Sequence, residues 1–393
     1  MVEWPRWPQW DDRELAGLRQ VLESGNWGGY SKALGTFERA FAERHAARHC
    51  ISAMNGTVSL VAAFAACDIG PGDEVIVPAY TFFATASAVR LAGATPVFVD
   101  IAPDTYNLDV AAAEAAVSER TKAIVPVHFA GLPVDLDLLL PLAEKHELVV
   151  IEDAAHAHGS SWRGRPVGAL GHVGSFSFQA NKNMTAGEGG ALLTNDDALA
   201  ERLWSYVNQG RSSEGSWYEH PNLGSNLRLT GWQAAVLQIQ LDRLDEQLER
   251  RMASSCYLRE RLAQFAGLRP LLWDERVESH AHHLFVLRYD PAEFGELSRA
   301  DFRLELEARG IPSSAGYGMP LYRQQSLTPP ASRVTPCPAA EQACEEAIWL
   351  SHNLLLAEEE QLAAIPEAVE DILTDRRRLA VRAESARQGG VAV

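Results

Sequence analysis

The sequence predicts an α/β protein with a mostly parallel sheet that is flanked by helices. Two observations indicate this fold class. First, apolar runs with strand character alternate with helical patterns over residues 74–208, which is typical of a parallel sheet with helices on both faces. Second, a chain of 393 residues is long for one compact unit, so we expect a large and a small domain.

The predicted elements of the large domain follow in chain order. Apolar runs bounded by turn residues predict strands over 74–78, 95–100, 123–127, 148–153, 174–178 and 190–194. Apolar residues at helical spacing predict helices over 58–67, 83–91, 108–117 and 136–146. A long helix over 230–265 is expected to link the domains, and its apolar side carries Leu237, Leu241, Leu244 and Leu248.

The C-terminal part mixes strand and helix signals and predicts a small α/β domain. A strand is expected over 283–289, and helices are expected over 299–309, 338–349 and 358–373. We therefore expect three parts, which are a large domain with its N-terminal segment over 1–250, a small domain over 251–375, and a disordered tail over 376–393.

The composition argues against several classes of protein. A formal net charge of −17 argues against binding to nucleic acid or to an anionic membrane, because both select basic surfaces. The five cysteines show no paired spacing, so neither a disulfide framework nor a zinc site is predicted. We find no basic and apolar leader and no apolar run of membrane-spanning length. We expect a cytoplasmic protein without a membrane partner.

Lys182 is the residue on which the functional prediction depends. It stands between a strand-like run and the glycine-rich segment 187–190. A lysine amine in a partly dehydrated cleft loses its proton more readily than in water, and it can form a Schiff base with an aldehyde such as that of pyridoxal phosphate. A single lysine is more often an ordinary surface residue, so the hypothesis depends on the neighbouring motifs.

Asp153 is the candidate partner for the ring of such a cofactor. A pyridoxal phosphate enzyme needs a carboxylate that keeps the pyridine nitrogen protonated, so that the ring can withdraw electrons. Asp153 ends an apolar run at the expected carboxyl edge of the sheet, where α/β folds bind ligands. The alternative is a helix cap. His156 is expected near the ring, although a histidine in this place is more often structural.

The phosphate and the ring face of the cofactor need further groups. Gly56 and Thr57 open a helical run and are the candidate phosphate cradle, because free amides at a helix start attract anions. The alternative for this Gly-Thr step is plain capping. Ser177 offers a hydroxyl to the same phosphate. Phe82 is the candidate for stacking on the ring, and its alternative is a phenylalanine of the core.

Taken together, these motifs resemble those of the DegT/StrS aminotransferases over nearly the whole chain. The matching segments are 56–57, 78–82, 152–156, 177–182, 187–190 and 224–229. Members of this family are fold-type-I pyridoxal phosphate enzymes that mostly transaminate keto sugars and keto cyclitols. The resemblance therefore implies their fold, with a sheet of the seven-stranded type.

The resemblance also implies a role for each matching residue. Lys182 is the covalent anchor of the cofactor, Asp153 pairs with the pyridine nitrogen, and His156 contacts the cofactor. Phe82 is the stacking ring. After the amino donor displaces Lys182, the freed amine is expected to move the α-proton as a general base.

Two further implications concern the phosphate and the assembly. The phosphate ligands are Thr57, Val58 and Ser177. Asn226 matches the family asparagine that reaches the phosphate bound in the neighbouring subunit. The resemblance therefore implies a homodimer with shared active sites.

Departures from the commonest family pattern narrow the activity. The residues Gln179, Ala180 and Asn181 stand where many members carry Pro-Thr. This version is similar to the branch of aminohydroxybenzoate synthases and glutamine-dependent scyllo-inosose aminotransferases. Tyr322 stands where members that use nucleotide-linked hexoses commonly carry histidine. Relatives with histidine in place of Lys182 are dehydratases, so the lysine favours transamination.

Three functions stay open at this point. The favoured one is an aminotransferase of a keto cyclitol or keto sugar in secondary metabolism, with L-glutamine or L-glutamate as donor. The second is a 3-amino-5-hydroxybenzoate synthase, and the third is a non-catalytic sensor that binds a sugar or the cofactor. A polyol needs several hydrogen-bond partners, whereas a carboxylated ring needs a cation. The candidate substrate residues are Trp27, Tyr30, Arg228, Tyr317 and Tyr322.

Overall fold

A computed structural model describes residues 2–388 of the chain, and side chains as far as Arg376. Its strands are β1 (His49–Ala53), β2 (Glu74–Pro78), β3 (Thr95–Val99), β4 (Thr121–Ile124), β5 (Val149–Asp153), β6 (Ser161–Trp162), β7 (Arg165–Pro166), β8 (Val173–Ser177), β9 (Gly190–Thr194), β10 (Leu268–Pro270), β11 (Leu284–Tyr289), β12 (Arg333–Val334) and β13 (Ala347–Ser351). Its α-helices are α1 (Asp12–Ser24), α2 (Lys32–Arg44), α3 (Gly56–Ala66), α4 (Phe83–Leu91), α5 (Val110–Ala115), α6 (Leu136–Lys145), α7 (Asp197–Val207), α8 (Gly231–Leu262), α9 (Arg299–Ala308), α10 (Pro338–Glu346), α11 (Glu359–Leu362) and α12 (Ala364–Gln388).

The central sheet of the described chain has eight strands in the order β1-β9-β8-β5-β4-β2-β3-β12. The six strands from β8 to β12 in this order are parallel. Strand β9 is antiparallel to both β8 and β1. In the C-terminal part, β10, β11 and β13 form an antiparallel sheet. The predicted α/β fold class with a mostly parallel sheet is therefore confirmed.

All six strands predicted for the large domain are present in the central sheet, which contains two further strands, β1 and β12, that were not predicted. The two-residue strands β6 and β7, which pair with each other, were not predicted either. Strand β1 is short and weakly apolar, and it pairs with β9 over all five of its residues. Strand β12 adds Arg333 and Val334 to the edge of β3. The resemblance implied a sheet of the seven-stranded type. Strand β12 lies far from β3 in the chain, and its pairing with β3 gives the central sheet an eighth strand.

Both faces of the central sheet are covered by helices. Val75 and Val77 of β2 belong to a core that includes residues of α3 and α4. Ile76 between them belongs to a second core that includes residues of α2, α6 and α8. A strand buried on both faces is apolar at every position, and this is why β2 reads as a continuous apolar run.

The helix predicted over 338–349 is wrong after residue 346. Helix α10 ends at Glu346, and Ala347 begins β13. Ile348 and Leu350 are buried in the small-sheet core and pair with β11. Apolar side chains alternate in this segment, as in a strand with one buried face. The strand forms because it pairs with β11, about 60 residues earlier in the chain.

Helix α8 spans the predicted domain boundary at residue 250. Leu237 near its start lies in the core beneath the central sheet, whereas Leu258 and Leu262 lie in the core of the C-terminal part. The helix thus links the two cores. Trp4, although assigned to the large domain, packs against the C-terminal core, and its Nε1 donates to the carbonyl of Gly310 at 2.7 Å. The domain limits stay predictions.

The end of the chain differs from the predicted disordered tail over 376–393. Helix α12 continues to Gln388, so the backbone of residues 376–388 is helical. The remaining residues of that tail lie outside the described residues. Within the described part of the chain, no helix is both long and apolar enough to cross a membrane.

A buried carboxylate, that of Glu152, fixes the end of β5. It accepts a hydrogen bond from Nε2 of His128 at 2.9 Å. It also accepts the amides of Gly168, Leu170 and Gly171 at 2.6–2.8 Å. Burial alone would raise the pKa of the Glu152 carboxyl. The bonds from His128 and the amides lower it by more, so the pKa is below its ordinary value. The next residue, Asp153, is therefore presented from a rigid strand end.

Candidate active site

Lys182 lies in the segment that joins β8 to β9, and its side chain is partly buried. Burial lowers the pKa of its amine from 10.5 to about 8, and the charge of Asp153 opposes this shift. The chain has only four lysines, and the other three are exposed. They are Lys32, Lys122 and Lys145. Lys182 is thus the lysine whose amine is most readily neutral.

Asp153 ends β5 with a buried side chain. Its Oδ2 accepts the hydroxyl of Thr85 at 2.8 Å, and its Oδ1 accepts the amide of Ala155 at 3.2 Å. Burial raises the pKa of this carboxyl, and these bonds together with the charge of Lys182 oppose the rise. Within the described residues, Asp153 has no cationic partner at ion-pair distance, so the carboxylate has only neutral donors.

The bond from the amide of Ala155 to Asp153 is local, but no helix begins after β5, because residues 154–160 form turns and irregular backbone. The alternative interpretation of Asp153 as a helix cap is therefore wrong. The bond from Thr85 is different, because it comes from the first turn of α4, 68 residues earlier in the chain. This contact ties the start of α4 to the carboxyl end of β5. Asp153 therefore takes part in more than a local turn.

His156 is buried close to Lys182. Its ring centroid lies 4.2 Å from that of His283, and its Nδ1 has no hydrogen-bond partner among the described residues. Burial lowers the pKa of His156 well below its ordinary value, and the charge of Lys182 adds to the effect. The ring is thus neutral and keeps a free polar atom.

No group of three or more potential ligands in the described structure is arranged to hold a metal ion.

The start of α3 is pressed against the end of β8. Asn55 is the N-cap, and its Oδ1 accepts the amide of Val58 at 3.0 Å. A side chain at Gly56 would bring its Cβ to 2.8 Å from Cβ of Ser177, so only glycine permits this approach. The arrangement leaves the amides of Gly56 and Thr57 at the helix start and places the hydroxyl of Ser177 beside them.

This geometry separates two interpretations of the Gly-Thr step. The helix cap is Asn55, so Gly56 and Thr57 are not needed for capping. The amide of Val58, which the resemblance implies as a phosphate ligand, is already bonded to the cap. The bond from Val58 to the cap does not use the amides of Gly56 and Thr57.

Phe82 is at the amino end of α4 and is not a core residue. It is the N-cap residue of that helix, and 59% of its surface is exposed. Thr85, which bonds Asp153, follows one turn later on the same helix. Phe82 thus presents a free aromatic face near the carboxyl edge of the sheet.

Three of the five candidate substrate residues lie in one region. The guanidinium of Arg228 lies 5.3 Å from the ring centroid of Tyr30, and the hydroxyl of Tyr30 accepts Nη1 of Arg211 at 3.1 Å. Trp27, from the same loop as Tyr30, packs against Trp232 with ring centroids 5.0 Å apart. Among the described residues, neither Arg211 nor Arg228 forms an ion pair with a carboxylate.

The other two candidates pack against different groups. Tyr317 packs against Tyr80 and Trp349, with centroid distances of 5.1 and 4.8 Å. Burial raises the pKa of Tyr317 well above its ordinary value, and the charge of Asp153 contributes. Tyr322 packs against β3 and α10 instead, and its hydroxyl donates to Glu341 at 2.7 Å.

Asn226 is exposed in the single chain. An isolated bridge to Asn208 fixes its backbone, so its side chain is displayed on the surface. The preceding part of the chain carries the exposed side chains of Trp217, Tyr218 and Leu223.

The sequence did not point to several residues that complete the site. Thr85 is recognisable only once α4 is placed against β5. Asn183 donates to the carbonyl of Ala281 at 2.6 Å, and its Oδ1 lies 3.1 Å from Nδ1 of His283. The run of histidines at 280–283 was the available signal for this contact.

Comparisons with known proteins show the family of this chain. A sequence model of the DegT/DnrJ/EryC1/StrS aminotransferase family matches residues 8–370. The chain is 39% identical over 381 residues to the 3-amino-5-hydroxybenzoate synthase of Amycolatopsis mediterranei (strain S699), covering 94% of this chain and 97% of that protein. It is 38% identical over 412 residues to the L-glutamine:scyllo-inosose aminotransferase of Streptomyces griseus, covering 96% of each.

A solved structure is similar over nearly the same length. The crystal structure of 3-amino-5-hydroxybenzoic acid synthase superimposes with a TM-score of 0.89 at 37% sequence identity, covering 95% of this chain and 99% of that one.

The lowered pKa of Lys182 predicts its reactivity in cofactor-free protein. The amine is protonated below pH about 8 and neutral above it, so trace acetylation of Lys182 should rise with a midpoint near this pH. Asp153→Asn removes the opposing charge and should move the midpoint lower. Exposed Lys122 is the internal control, and peptide mass spectrometry separates the two. A midpoint for Lys182 at or above that of Lys122 would contradict the proposed desolvation.

Proposed function

Because the chain belongs to the DegT/DnrJ/EryC1/StrS family and is an aminotransferase, we propose that it uses pyridoxal phosphate to convert a keto cyclitol or keto sugar into the amino compound. We propose L-glutamine as the donor, with L-glutamate as the alternative, and a role in secondary metabolism. The observation that carries the proposal is the partly buried amine of Lys182 at the same sheet edge as the buried carboxylate of Asp153. The named activity of the scyllo-inosose relative supports the substrate class.

The residues of the site fit pyridoxal phosphate. Among the described residues, the buried carboxylate of Asp153 has only neutral donors, and a protonated pyridine nitrogen would supply a cation. The close approach of Gly56 to Ser177 assembles two amides and a hydroxyl, and these groups suit a phosphate. When bound, the cofactor supplies an electron sink for the carbanion that forms as the α-proton of the donor leaves.

Lys182 would both anchor the cofactor and move the proton. With a pKa of about 8, about one amine in ten is neutral at pH 7, against roughly one in three thousand at the ordinary value. A neutral amine can act as nucleophile and as base. The partly buried position raises this neutral fraction before any substrate arrives.

The remaining residues would bind and orient. Asp153, held by Thr85, keeps its charge directed at the ring nitrogen. Phe82 would cover one face of the ring, and the free Nδ1 of His156 is available to a polar substituent of the ring.

We also propose a homodimer with shared active sites. Asn226 is exposed in the single chain, and exposed apolar side chains precede it in the sequence. Large apolar side chains that are exposed in one segment are typical of protein interfaces. In this chain they are those of Trp217, Tyr218 and Leu223.

A second candidate function is 3-amino-5-hydroxybenzoate synthesis. The identity and the structural similarity to that synthase support it. One observation of the site also favours it. Arg211 and Arg228 form no ion pair with a carboxylate among the described residues, so either could pair with a carboxylated ring. The membership in an aminotransferase family argues against the non-catalytic sensor.

A substrate panel tests the proposed reaction. Purified protein loaded with pyridoxal phosphate is assayed with scyllo-inosose, a nucleotide-linked keto sugar and amino-dehydroshikimate, each with glutamine and with glutamate. We expect turnover of the cyclitol with glutamine. Lys182→Ala should lower the rate by about 10²-fold to 10⁴-fold, which is the typical contribution of a general base. Lys122→Ala, the control, should leave the rate unchanged. Conversion of amino-dehydroshikimate alone would favour the synthase instead.

A complementation experiment tests the shared site. Lys182→Ala and Asn226→Ala subunits are each impaired as homodimers, but a mixed dimer has one site with both native residues. Random mixing should therefore restore about a quarter of the wild-type sites. The readout is turnover after mixing and subunit exchange. Failure of mixing to raise the activity above that of the separate variants, or an active monomer, would contradict the shared site.

A further inference from the structure

The two carbonyl groups that precede Lys182 are held by side chains from distant parts of the chain. Nε1 of Trp7 donates to the carbonyl of Ala180 at 3.0 Å. Nε2 of His352 lies 3.1 Å from the carbonyl of Asn181. Trp7 is in the N-terminal segment, and His352 directly follows β13. Side chains from the N-terminal segment and from the segment after β13 thus converge on the backbone directly before Lys182.

Arg251 determines which nitrogen of His352 carries the proton. This arginine lies on α8, and its Nη2 is 3.2 Å from Nδ1 of His352. A guanidinium can only donate, so Nδ1 must accept and the proton must be on Nε2. That is the nitrogen that faces Asn181. Arg251 therefore selects the tautomer that can hold the carbonyl.

Arg251 is buried at a considerable cost. It is fully buried, and no carboxylate of the described residues forms an ion pair with it. Its Nε and Nη1 have no hydrogen-bond partner in the described structure. The central carbon of its guanidinium lies over the ring of Trp7, 5.5 Å from the ring centroid. Burial lowers the pKa of this guanidinium to about 9. Because an unpaired buried charge is destabilising, packing alone does not account for an arginine here.

The N-terminal segment is firmly attached around Trp7. The ring of Trp7 meets that of His352 edge-on, with centroids 4.5 Å apart at 85°. On either side of Trp7, side chains of Asn353 and Gln240 donate to the carbonyls of Pro5 and Gln9 at 2.8 and 2.9 Å. The indole is therefore held in place by the fold before it bonds Ala180.

We propose that Arg251, His352 and Trp7 are positioning residues that hold the backbone before Lys182 and thereby set the place of its amine. The inference rests on the proposed function, since it assigns these residues to the reaction of that amine. None of the three touches Lys182 through its side chain in the described structure. They act through the carbonyls of Ala180 and Asn181. A displacement of about 1 Å at a reacting group can cost roughly 100-fold in rate.

Substitutions at His352 separate positioning from packing. His352→Phe keeps a buried ring against Trp7 but cannot bond Asn181. His352→Gln offers an amide donor for Asn181 and an oxygen for Arg251. The matched control is His45→Phe, because His45 is also buried among aromatic rings but bonds the carbonyl of Phe41.

Three measurements are made on each variant. The first is kcat and KM with the keto substrate. The second is the rate at which pyridoxal phosphate becomes fixable to Lys182 by borohydride. The third is hydrogen–deuterium exchange of the peptide over 179–184, in which the amide of Lys182 bonds the carbonyl of Gln179 at 2.8 Å.

We expect His352→Phe to lower kcat by about tenfold to 100-fold with KM unchanged within about twofold. Attachment to Lys182 should slow by a similar factor, and exchange over 179–184 should rise. His352→Gln should restore most of each loss, and His45→Phe should leave all three readouts near wild type. Wild-type attachment and exchange in His352→Phe would overturn the inference, as would equal effects in His45→Phe. Wild-type protein that takes up no pyridoxal phosphate would instead refute the proposed function.

Discussion

Burial of a lysine amine and a carboxylate at one sheet edge is the constraint on which the rest of the structure depends. Desolvation acts against the charged form of both groups, so the pKa of Lys182 falls and that of Asp153 rises. Their mutual attraction opposes both shifts but does not cancel them. The two groups do not form an ion pair within the described structure. Both the amine and the carboxylate therefore stay available to a ligand that lies between them.

The parallel sheet makes this constraint possible. Asp153 ends β5, and the lysine segment follows β8, which is the parallel neighbour of β5. Parallel neighbours end at the same edge, so residues 29 positions apart in the chain are brought to one edge of the sheet. The start of α3 joins the same edge because Gly56 leaves room for Ser177. Supporting contacts then come from α4, α8 and the segment after β13.

Local pattern was enough to predict the residues at strand ends and helix starts. Lys182, Asp153 and Gly56 each stand where the chain changes from one element to the next, and such changes are visible in the sequence. Contacts between distant elements were not predictable. The bond from Thr85 to Asp153, the contact of Arg251 with His352, and the pairing of β13 with β11 all depend on tertiary placement. Tyr322 shows the same limit, because its partner Glu341 lies on α10, which only the fold brings near.

The most direct test of the central claim is borohydride reduction of protein incubated with pyridoxal phosphate, followed by peptide mass spectrometry. Four lysines make the assignment of the modified residue unambiguous. The account predicts one phosphopyridoxyl group per chain, on Lys182, and its loss in Lys182→Ala. Modification spread over Lys32, Lys122 and Lys145, with Lys182 unmodified, would contradict it.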